Sequence, residues 1–241
     1  MGTYLIISKR EVSSFFDSLT AYVLITAFLG ISGFFTWIYG SDVFFVGQAS
    51  LQSFFSVAYW SLFFFIPALT MRSIAEEKRS GTLEMILSKP VSDFQLVMGK
   101  FIAVFELILI ALLFTLPYYI TVMFLGNVDH GAVICGYFGM LLMSSVLISI
   151  GIFASSLTNN QIVAFLLALF IGVFFLIIFD VLAANLTGTL ATFLSYLSLS
   201  THYDSISRGV VDTRDLIYFL SFTFFFLFLA TFVLSKRNLV D

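Results

Sequence analysis

The sequence predicts an all-α integral membrane protein with six transmembrane helices. Of its 241 residues, 60% are hydrophobic and 10% are charged, whereas soluble domains carry about 25% charged residues. Six apolar runs reach roughly the 20 residues that a helix needs to cross a bilayer core. The runs are continuous rather than alternating, and backbone groups in lipid must be hydrogen-bonded within their own segment, so we expect helices and not strands.

The predicted spans follow the order of the apolar runs. They cover residues 19–38, 54–74, 96–125, 132–154, 162–183 and 216–234. The third run is longer than a bilayer requires and contains Pro117, which predicts a kink or a tilt. We treat residues 1–241 as a single transmembrane domain.

Residues 1–17, which precede the first span, are too charged to cross a membrane. Lys9, Arg10 and Glu11 lie among apolar residues, a pattern that predicts a helix lying on the membrane surface, with an elbow near Asp17. A frayed tail is the alternative interpretation.

The distribution of lysine and arginine predicts the orientation of the chain. Six spans place both ends of the chain on one side, together with nine of the 11 basic residues, and leave only Arg208 and Arg214 on the other. Cytoplasmic loops carry the excess of lysine and arginine. Both ends are therefore expected in the cytoplasm, and the connection 184–215 is expected outside.

A charged segment, residues 76–90, separates the second span from the third. Gly81 interrupts it and Thr82 can begin a new short helix, which Pro90 ends because the residue before a proline avoids the α region. Ser92 and Gln95 then have the spacing of a capping box at the start of the third span.

Leu83, Ile86 and Leu87 fall at helical spacing within this segment and predict one apolar face. Such a face, surrounded by charges, is typical of a small helix that docks in a groove of a partner. The alternative is that it lies on the lipid headgroups and has no further role.

Several function classes find no support in the sequence. It contains no G-x-x-x-x-G-K-[ST] loop for ATP phosphates, no H-E-x-x-H and no G-x-S-x-G. The spans contain no cluster of acids or histidines of the kind that marks ion relays. Hence we expect no enzymatic activity and no secondary transport.

A few isolated polar residues remain as candidates. Glu106 lies about 9 Å into the third span, where it would either line a translocation path or make a helix-packing hydrogen bond. Asp180 falls near the outer end of the fifth span. His130 and His202, in separate outer connections, are a weak metal site, so we expect them to be solvated and expect no metal.

The stretch AEEKRSGTLEMILSKPVSDFQLVMGKF, residues 75–101, resembles the signature of permease subunits of ABC-2 type ABC transporters. The resemblance implies that residues 76–90 form the coupling helix, which docks in a groove of an ATPase subunit. The residues to which it assigns this role are Glu76, Glu77, Lys78, Arg79, Gly81, Thr82, Leu83, Glu84, Ile86, Leu87 and Pro90.

The resemblance extends to both ends of the chain. Residues 9–25 are similar to the interfacial helix and elbow of these permeases, although Ser18-Leu19 replaces their frequent Ser-Pro. Residues 198–219 are similar to the segment before the last span. In relatives the preceding stretch, here about 186–197, forms a re-entrant helical hairpin on the outer side.

The resemblance also implies partners. They are a pair of ABC ATPase subunits, which hold ATP and Mg, and a second permease chain, identical or different; no cofactor in this chain and no nucleic acid are expected. The implied location is the bacterial cytoplasmic (inner) membrane. Within the superfamily, the sequence most resembles the gliding-motility-associated permeases of the GldF type, and it is also similar to permeases of nitrous-oxide-reductase maturation.

Two further interpretations stay open. The six spans would equally serve a non-transporting membrane scaffold or anchor. Alternatively, the chain acts on a protein outside the cell through the connection 184–215, and Asp204, Arg208 and Asp212 are then the candidate contact residues.

Overall fold

The computed structural model describes residues 2–39, 49–87 and 90–236. Part of the predicted connection 40–53 lies outside these ranges, as do Ser88, Lys89 and the side chain of Leu87. In the described ranges the regular structure is helical throughout. The helices are α1 Thr3–Asp17, α2 Thr20–Trp37, α3 Gln52–Thr70, α4 Ala75–Ser80, α5 Thr82–Leu87, α6 Asp93–Leu113, α7 Leu116–Leu125, α8 His130–Leu157, α9 Gln161–Val173, α10 Phe179–Asn185, α11 Thr189–Leu197, α12 Leu199–Ser207 and α13 Thr213–Ser235.

Six helical segments of the described chain are long and apolar enough to cross a membrane, which confirms the predicted number of spans. They are Thr20–Trp37, Gln52–Ser80, Asp93–Leu125, His130–Leu157, Gln161–Asn185 and Thr213–Ser235. The predicted N-terminal helix is present as α1, and the chain turns at Ser18 before α2.

Local signals in the sequence determine where several helices begin and end. The third span breaks between α6 and α7, because Pro117 lies in the first turn of α7 and cannot continue the preceding helix. At the start of α6, the Ser92 hydroxyl accepts from the Gln95 backbone N–H, and the Gln95 side chain accepts from that of Ser92, both at 3.2 Å. The predicted break and the predicted capping box are therefore both confirmed.

The fourth span, α8, lies at the centre of the bundle and packs against α3, α6, α9, α12 and α13. In its most apolar 18-residue stretch, 67% of the residues are buried, against 22–28% for the first, fifth and sixth spans. Small residues permit the close packing: a Cβ on Gly151 would lie 2.0 Å from the Thr70 hydroxyl of α3. A movement of α8 therefore displaces most of the other spans.

A helical hairpin is present at the end of the fifth span, but its first arm belongs to the span itself, which differs from the expectation. A π-helical turn, Phe174–Ile178, leads from α9 into α10, which continues the fifth span and packs against α11. The hairpin thus turns at residues 186–188, where Gly188 has a φ of 81° that favours glycine. The stretch 186–197 supplies only the turn and the second arm, because the fifth span stays helical to Asn185.

Candidate functional site

The charged segment forms two short helices that meet at a glycine. The helix α4 ends at Gly81, which has a φ of 70°, in the left-handed region where residues with a Cβ are strained. The Gly81 backbone N–H donates to the Lys78 carbonyl at 3.3 Å. Gly81 therefore ends α4 and separates it from α5, as the sequence predicted.

A serine of α8 holds the start of α4. The Ser155 hydroxyl accepts from the backbone N–H groups of Ile74 and Ala75, each at 3.0 Å, and donates to the Met71 carbonyl at 3.1 Å. The first N–H groups of a helix have no partner within it, so the end of the central span satisfies those of the charged segment. Sequence reasoning missed Ser155, since a serine near the end of an apolar helix carries no distinguishing signal.

A second contact joins the same two elements. The Lys78 ammonium group donates to the backbone carbonyl of Ser156, the residue after Ser155. Together with the Ser155 hydrogen bonds, this contact ties α4 to the last turn of α8.

A buried ion cluster joins the charged segment to α6 and α1. Lys100 of α6 is 2% exposed, and its Nζ lies 2.7 Å from Oε1 of Glu77 and 3.4 Å from Oε1 of Glu11. Arg10 lies 2.8 Å from the same Glu11 oxygen and 3.8 Å from Glu77. Four charges from three elements thus balance one another, with Lys100 buried and Arg10 half-exposed at the edge of the cluster. Removing the buried Lys100 would leave its carboxylate partners without that compensating charge.

The environment of Glu11 in α1 favours its ionised form. Burial by itself raises the pKa of this carboxyl, but the charge of Lys100 and the hydrogen bond and charge of Arg10 outweigh burial. The net result is a lowered pKa, so Glu11 is a carboxylate at neutral pH.

The structure divides the predicted coupling residues into two groups. Some point into the chain and make the contacts above or enter the core, and they are Glu77, Lys78 and Leu83. The exposed ones are Glu76, Arg79, Gly81, Thr82, Glu84 and Pro90, while Ile86 is half-buried and the side chain of Leu87 lies outside the described residues. The segment therefore has an inner face that contacts the bundle and an outer face that remains available.

The predicted apolar docking face is wrong at Leu83. This side chain is 4% exposed and belongs to the hydrophobic core, while Ile86 is half-buried against the core and Met85 is 69% exposed. The helix α5 lies back on the bundle because burying Leu83 removes its apolar surface from water. Among the described side chains of α5, the exposed apolar one is therefore Met85, which the sequence reasoning did not single out.

A cavity of about 650 Å³ adjoins the exposed face. It lies between α1, α3 and the charged segment. Its lining includes Arg10, Arg72, Glu76, Met85 and Lys100. Charges of both signs surround this opening.

Glu106 faces the N-terminal helix. Its Oε2 accepts from the Ser8 hydroxyl of α1 at 3.5 Å, and the residue is half-buried. The two helices approach closely here, since a Cβ on Gly99 would lie 2.7 Å from the Ile7 side chain. This contact is of the helix-packing kind, and a role for Glu106 in translocation stays a prediction.

The three candidate contact residues of the outer connection make local contacts. The Asp212 side chain caps α13 by accepting from the Arg214 N–H at 3.0 Å, and Arg208 Nε donates to the Asp204 carbonyl at 2.9 Å. All three side chains belong to exposed residues. A role in binding an outer partner stays a prediction.

The expectation of a solvated His202 is wrong. Its Nδ1 lies 2.6 Å from Oδ1 of Asp215, its Nε2 lies 3.1 Å from the Tyr196 carbonyl oxygen, and its ring stacks on Tyr218 at 4.0 Å. The turn between α12 and α13 brings His202 and Asp215 together inside the bundle. His130 is exposed and contacts the Tyr119 hydroxyl at 2.6 Å. In the described ranges, no group of three or more metal-ligating side chains comes together.

Six apolar spans, of which the fourth is central, and one charged segment held against them define a multi-pass helical membrane protein. Residues 7–238 match the family model described as ABC-2 family transporter protein. The chain therefore belongs to the ABC-2 transporter family, whose members are non-catalytic membrane permease subunits that work with an ATPase subunit. A comparison with curated proteins gives no significant match.

Proposed function

We propose that this chain couples ATP hydrolysis in a separate ATPase pair to a rearrangement of its own spans, through the charged segment 76–90. The observation that supports this most directly is the division of that segment into an exposed face and a face held by the bundle. ATP and Mg belong to the ATPase, and no cofactor is assigned to this chain. The excess of lysine and arginine supports an inner-membrane orientation with the segment and both ends in the cytoplasm.

The exposed face is the proposed docking surface. Glu76, Arg79 and Glu84 offer exposed charges of both signs. Glu76 also lines the 650 Å³ cavity, together with Met85, which offers an apolar contact. Helix-in-groove contacts combine a central apolar anchor with a charged rim. A groove of the ATPase subunit would therefore receive the turn formed by α4 and α5.

The inner face is the proposed transmission path. A force on α4 reaches the end of α8 through Ser155 and Lys78, and it reaches α6 through Glu77 and Lys100. Packed elements respond to such a force by discrete rigid-body shifts. Because α8 packs against most of the other spans, its displacement would rearrange the bundle.

Co-purification with the ATPase tests the docking surface. Charge reversal by Arg79→Glu or Glu84→Lys, and the introduction of charge by Leu87→Asp, should each lower the yield of ATPase recovered with the permease. Lys9→Glu, a reversal at an exposed residue of α1, is the matched control and should leave the yield unchanged. Docking at residues 76–90 is rejected if all three variants recover the ATPase as the wild type does.

The composition of the purified complex tests the remaining partners. We propose two permease chains, identical or different, on two ATPase subunits, and mass measurement of the intact complex distinguishes the two pairings. A chain that purifies without any nucleotide-binding partner would favour the alternative of a non-transporting scaffold. In that case the charged segment would be a surface loop with no docking role.

We propose gliding motility as the process served, because residues 75–101 most resemble the GldF type of permease. Deletion of the gene should abolish gliding, and the Glu84→Lys variant should fail to restore it. Retained gliding together with loss of nitrous-oxide reduction would favour the maturation type of permease instead.

An outer protein partner is a second proposal, and it rests on the exposure of Asp204, Arg208 and Asp212. Asp212→Asn keeps the capping oxygen of α13 while removing its charge, so it tests the contact without losing the cap. Reduced activity with an unchanged ATPase yield is expected. Unchanged activity in Asp212→Asn and Arg208→Gln would reject the outer contact.

A further inference from the structure

A separate cavity of about 300 Å³ lies at the opposite end of the bundle, among α3, the π-helical turn, α10 and α12. Neither the charged segment nor its contacts extend to it. Its lining includes Tyr59, Trp60, Ile177, Asp180, Tyr203 and Asp204. Its volume lies at the lower end of the range found for small-molecule sites.

Aromatic rings form one side of this cavity. The rings of Tyr59 and Tyr203 lie 4.8 Å apart at 37°, and Trp60 meets Tyr59 edge-on at 5.5 Å. The faces of tryptophan and tyrosine carry partial negative charge and attract cations. A lining that contains these rings therefore suits a positively charged ligand.

The Tyr203 hydroxyl gives an independent indication of a ligand. Tyr203 lines the cavity and is 5% exposed, and its hydroxyl has no hydrogen-bond partner among the residues that the structure describes. A buried polar group without a partner is costly, so such groups are normally satisfied by protein, water or ligand. The hydroxyl itself has no surface accessible to water, so a ligand in the cavity would satisfy it only after a shift of the Tyr203 ring.

Two carboxylates supply negative charge to the same space. The pKa of Asp204 is raised by its partial burial and by the charge of Asp180, although the charge of Arg208 opposes this shift. In the described part of the chain neither carboxylate has an ion pair, and Asp180 only accepts a 3.5 Å hydrogen bond from Thr201. Their negative charge is thus incompletely balanced by the protein itself.

We propose that this cavity binds an organic ammonium cation. The carboxylates would balance its charge, the rings of Tyr59 and Trp60 would contact its alkyl groups, and the Tyr203 hydroxyl would accept from an N–H where one is present. Calcium and magnesium prefer six or more oxygen ligands, which an aromatic lining does not offer. A π-helical turn beside the cavity agrees with the frequent occurrence of such turns at functional sites.

The ammonium group can come from two sources that share this chemistry. One is a small soluble cation related to choline or ethanolamine, and the other is the headgroup of phosphatidylethanolamine. The proposal does not depend on the ATPase, because binding is measured on the permease alone.

Tryptophan fluorescence provides the test. The chain has two tryptophans, so Trp37→Phe leaves Trp60 as the reporter inside the cavity. In nanodiscs of phosphatidylglycerol, tetramethylammonium and ethanolamine should each change the fluorescence in a saturable manner. Asp204→Asn should weaken both affinities about tenfold, as expected for the loss of one charge contact, whereas Asp129→Asn, at a helix cap outside the cavity, should change neither. Absence of a saturable change, or equal affinities in Asp204→Asn and its parent, would overturn the proposal.

Tyr203→Phe removes only the unpartnered hydroxyl and leaves the ring, so it should not impair folding. It should weaken ethanolamine, which has N–H donors, and leave tetramethylammonium, which has none, unchanged. Equal effects on the two cations would contradict the assigned role of this hydroxyl.

Nanodiscs that also contain phosphatidylethanolamine distinguish the two sources. If the lipid occupies the cavity, the apparent affinity for tetramethylammonium falls as the lipid fraction rises, and Asp204→Asn abolishes this competition. If soluble cations are the ligand, the affinity is independent of the lipid. Either result supports an ammonium site and identifies its source.

Discussion

Lys100 Nζ lies 2.7 Å from Oε1 of Glu77, and this buried ion pair joins the third span to the charged segment. Lys100 follows Gly99 in the same helix, and Gly99 packs against Ile7 of α1. Two consecutive residues of α6, Gly99 and Lys100, therefore contact α1 and the charged segment. The charged segment is therefore held by α1, α6 and α8.

Replacing Lys100 with methionine should destabilise the protein. Lys100→Met leaves Glu77 and Glu11 without their shared cation, and removing one partner of a buried pair costs about 3 kcal/mol or more. Thermal unfolding in detergent should show a clear loss of stability. The double variant Lys100→Met/Glu77→Gln should recover part of the lost stability. If Lys100→Met were as stable as the wild type, the ion cluster would not stabilise the fold.

Ser155→Ala should uncouple ATP hydrolysis from the movement of the spans while the ATPase still binds. The change leaves the backbone N–H groups of Ile74 and Ala75 buried without a partner, at about 1–3 kcal/mol for each group. The expected result is an unchanged ATPase yield with reduced ATP-driven activity.

Ser156→Ala is the matched control for Ser155→Ala. The Ser156 hydroxyl donates only within its own helix, to the Phe153 carbonyl, and the backbone carbonyl that binds Lys78 remains. This variant should keep its activity. Equal losses in the two variants would mean that the last turn of α8 acts as a whole and not through the Ser155 hydroxyl.

Gly99→Ala should displace α1 from α6. The added Cβ would lie 2.7 Å from two Ile7 carbons and 3.0 Å from the Tyr4 carbonyl oxygen, and such overpacking costs about 1–3 kcal/mol. Hydrogen exchange of α1 should become faster. Gly30→Ala, where a Cβ meets nothing within 4 Å, is the control and should be neutral or slightly stabilising.

Stability should fall in acid partly through Glu11. Its folded pKa is below the ordinary value of 4.5, so the unfolded chain binds the proton more readily. The stabilisation that ionised Glu11 provides is present above pH 4.5, and it is lost as the pH falls through the pKa of Glu11 in the folded protein.

The measurement is thermal unfolding as a function of pH below 4.5. Glu11→Gln should lose less stability than the wild type over this range, because it lacks the titrating group. Asp17→Asn, which changes an exposed carboxylate in the same helix, should follow the wild-type profile. If the Glu11→Gln profile also coincided with that of the wild type, Glu11 would not contribute to the loss of stability in acid.

The sequence by itself determined the six spans and most of the helix ends. Lipid requires every backbone group to be bonded within its own segment, so apolar length alone predicts a span. The break at Pro117, the turn at Gly81 and the capping box at Ser92 and Gln95 were likewise predictable, since each depends on residues a few positions apart.

Only the tertiary structure decided which side chains of the charged segment face the bundle. Leu83 fits a docking face equally well by periodicity, yet it is buried because α5 lies back on the bundle. Ser155 contacts residues that lie 80 and 81 positions away in sequence, and His202 finds Asp215 only across the turn between two helices. Helical periodicity defines a face but not its neighbour, since the neighbour depends on how the helices pack.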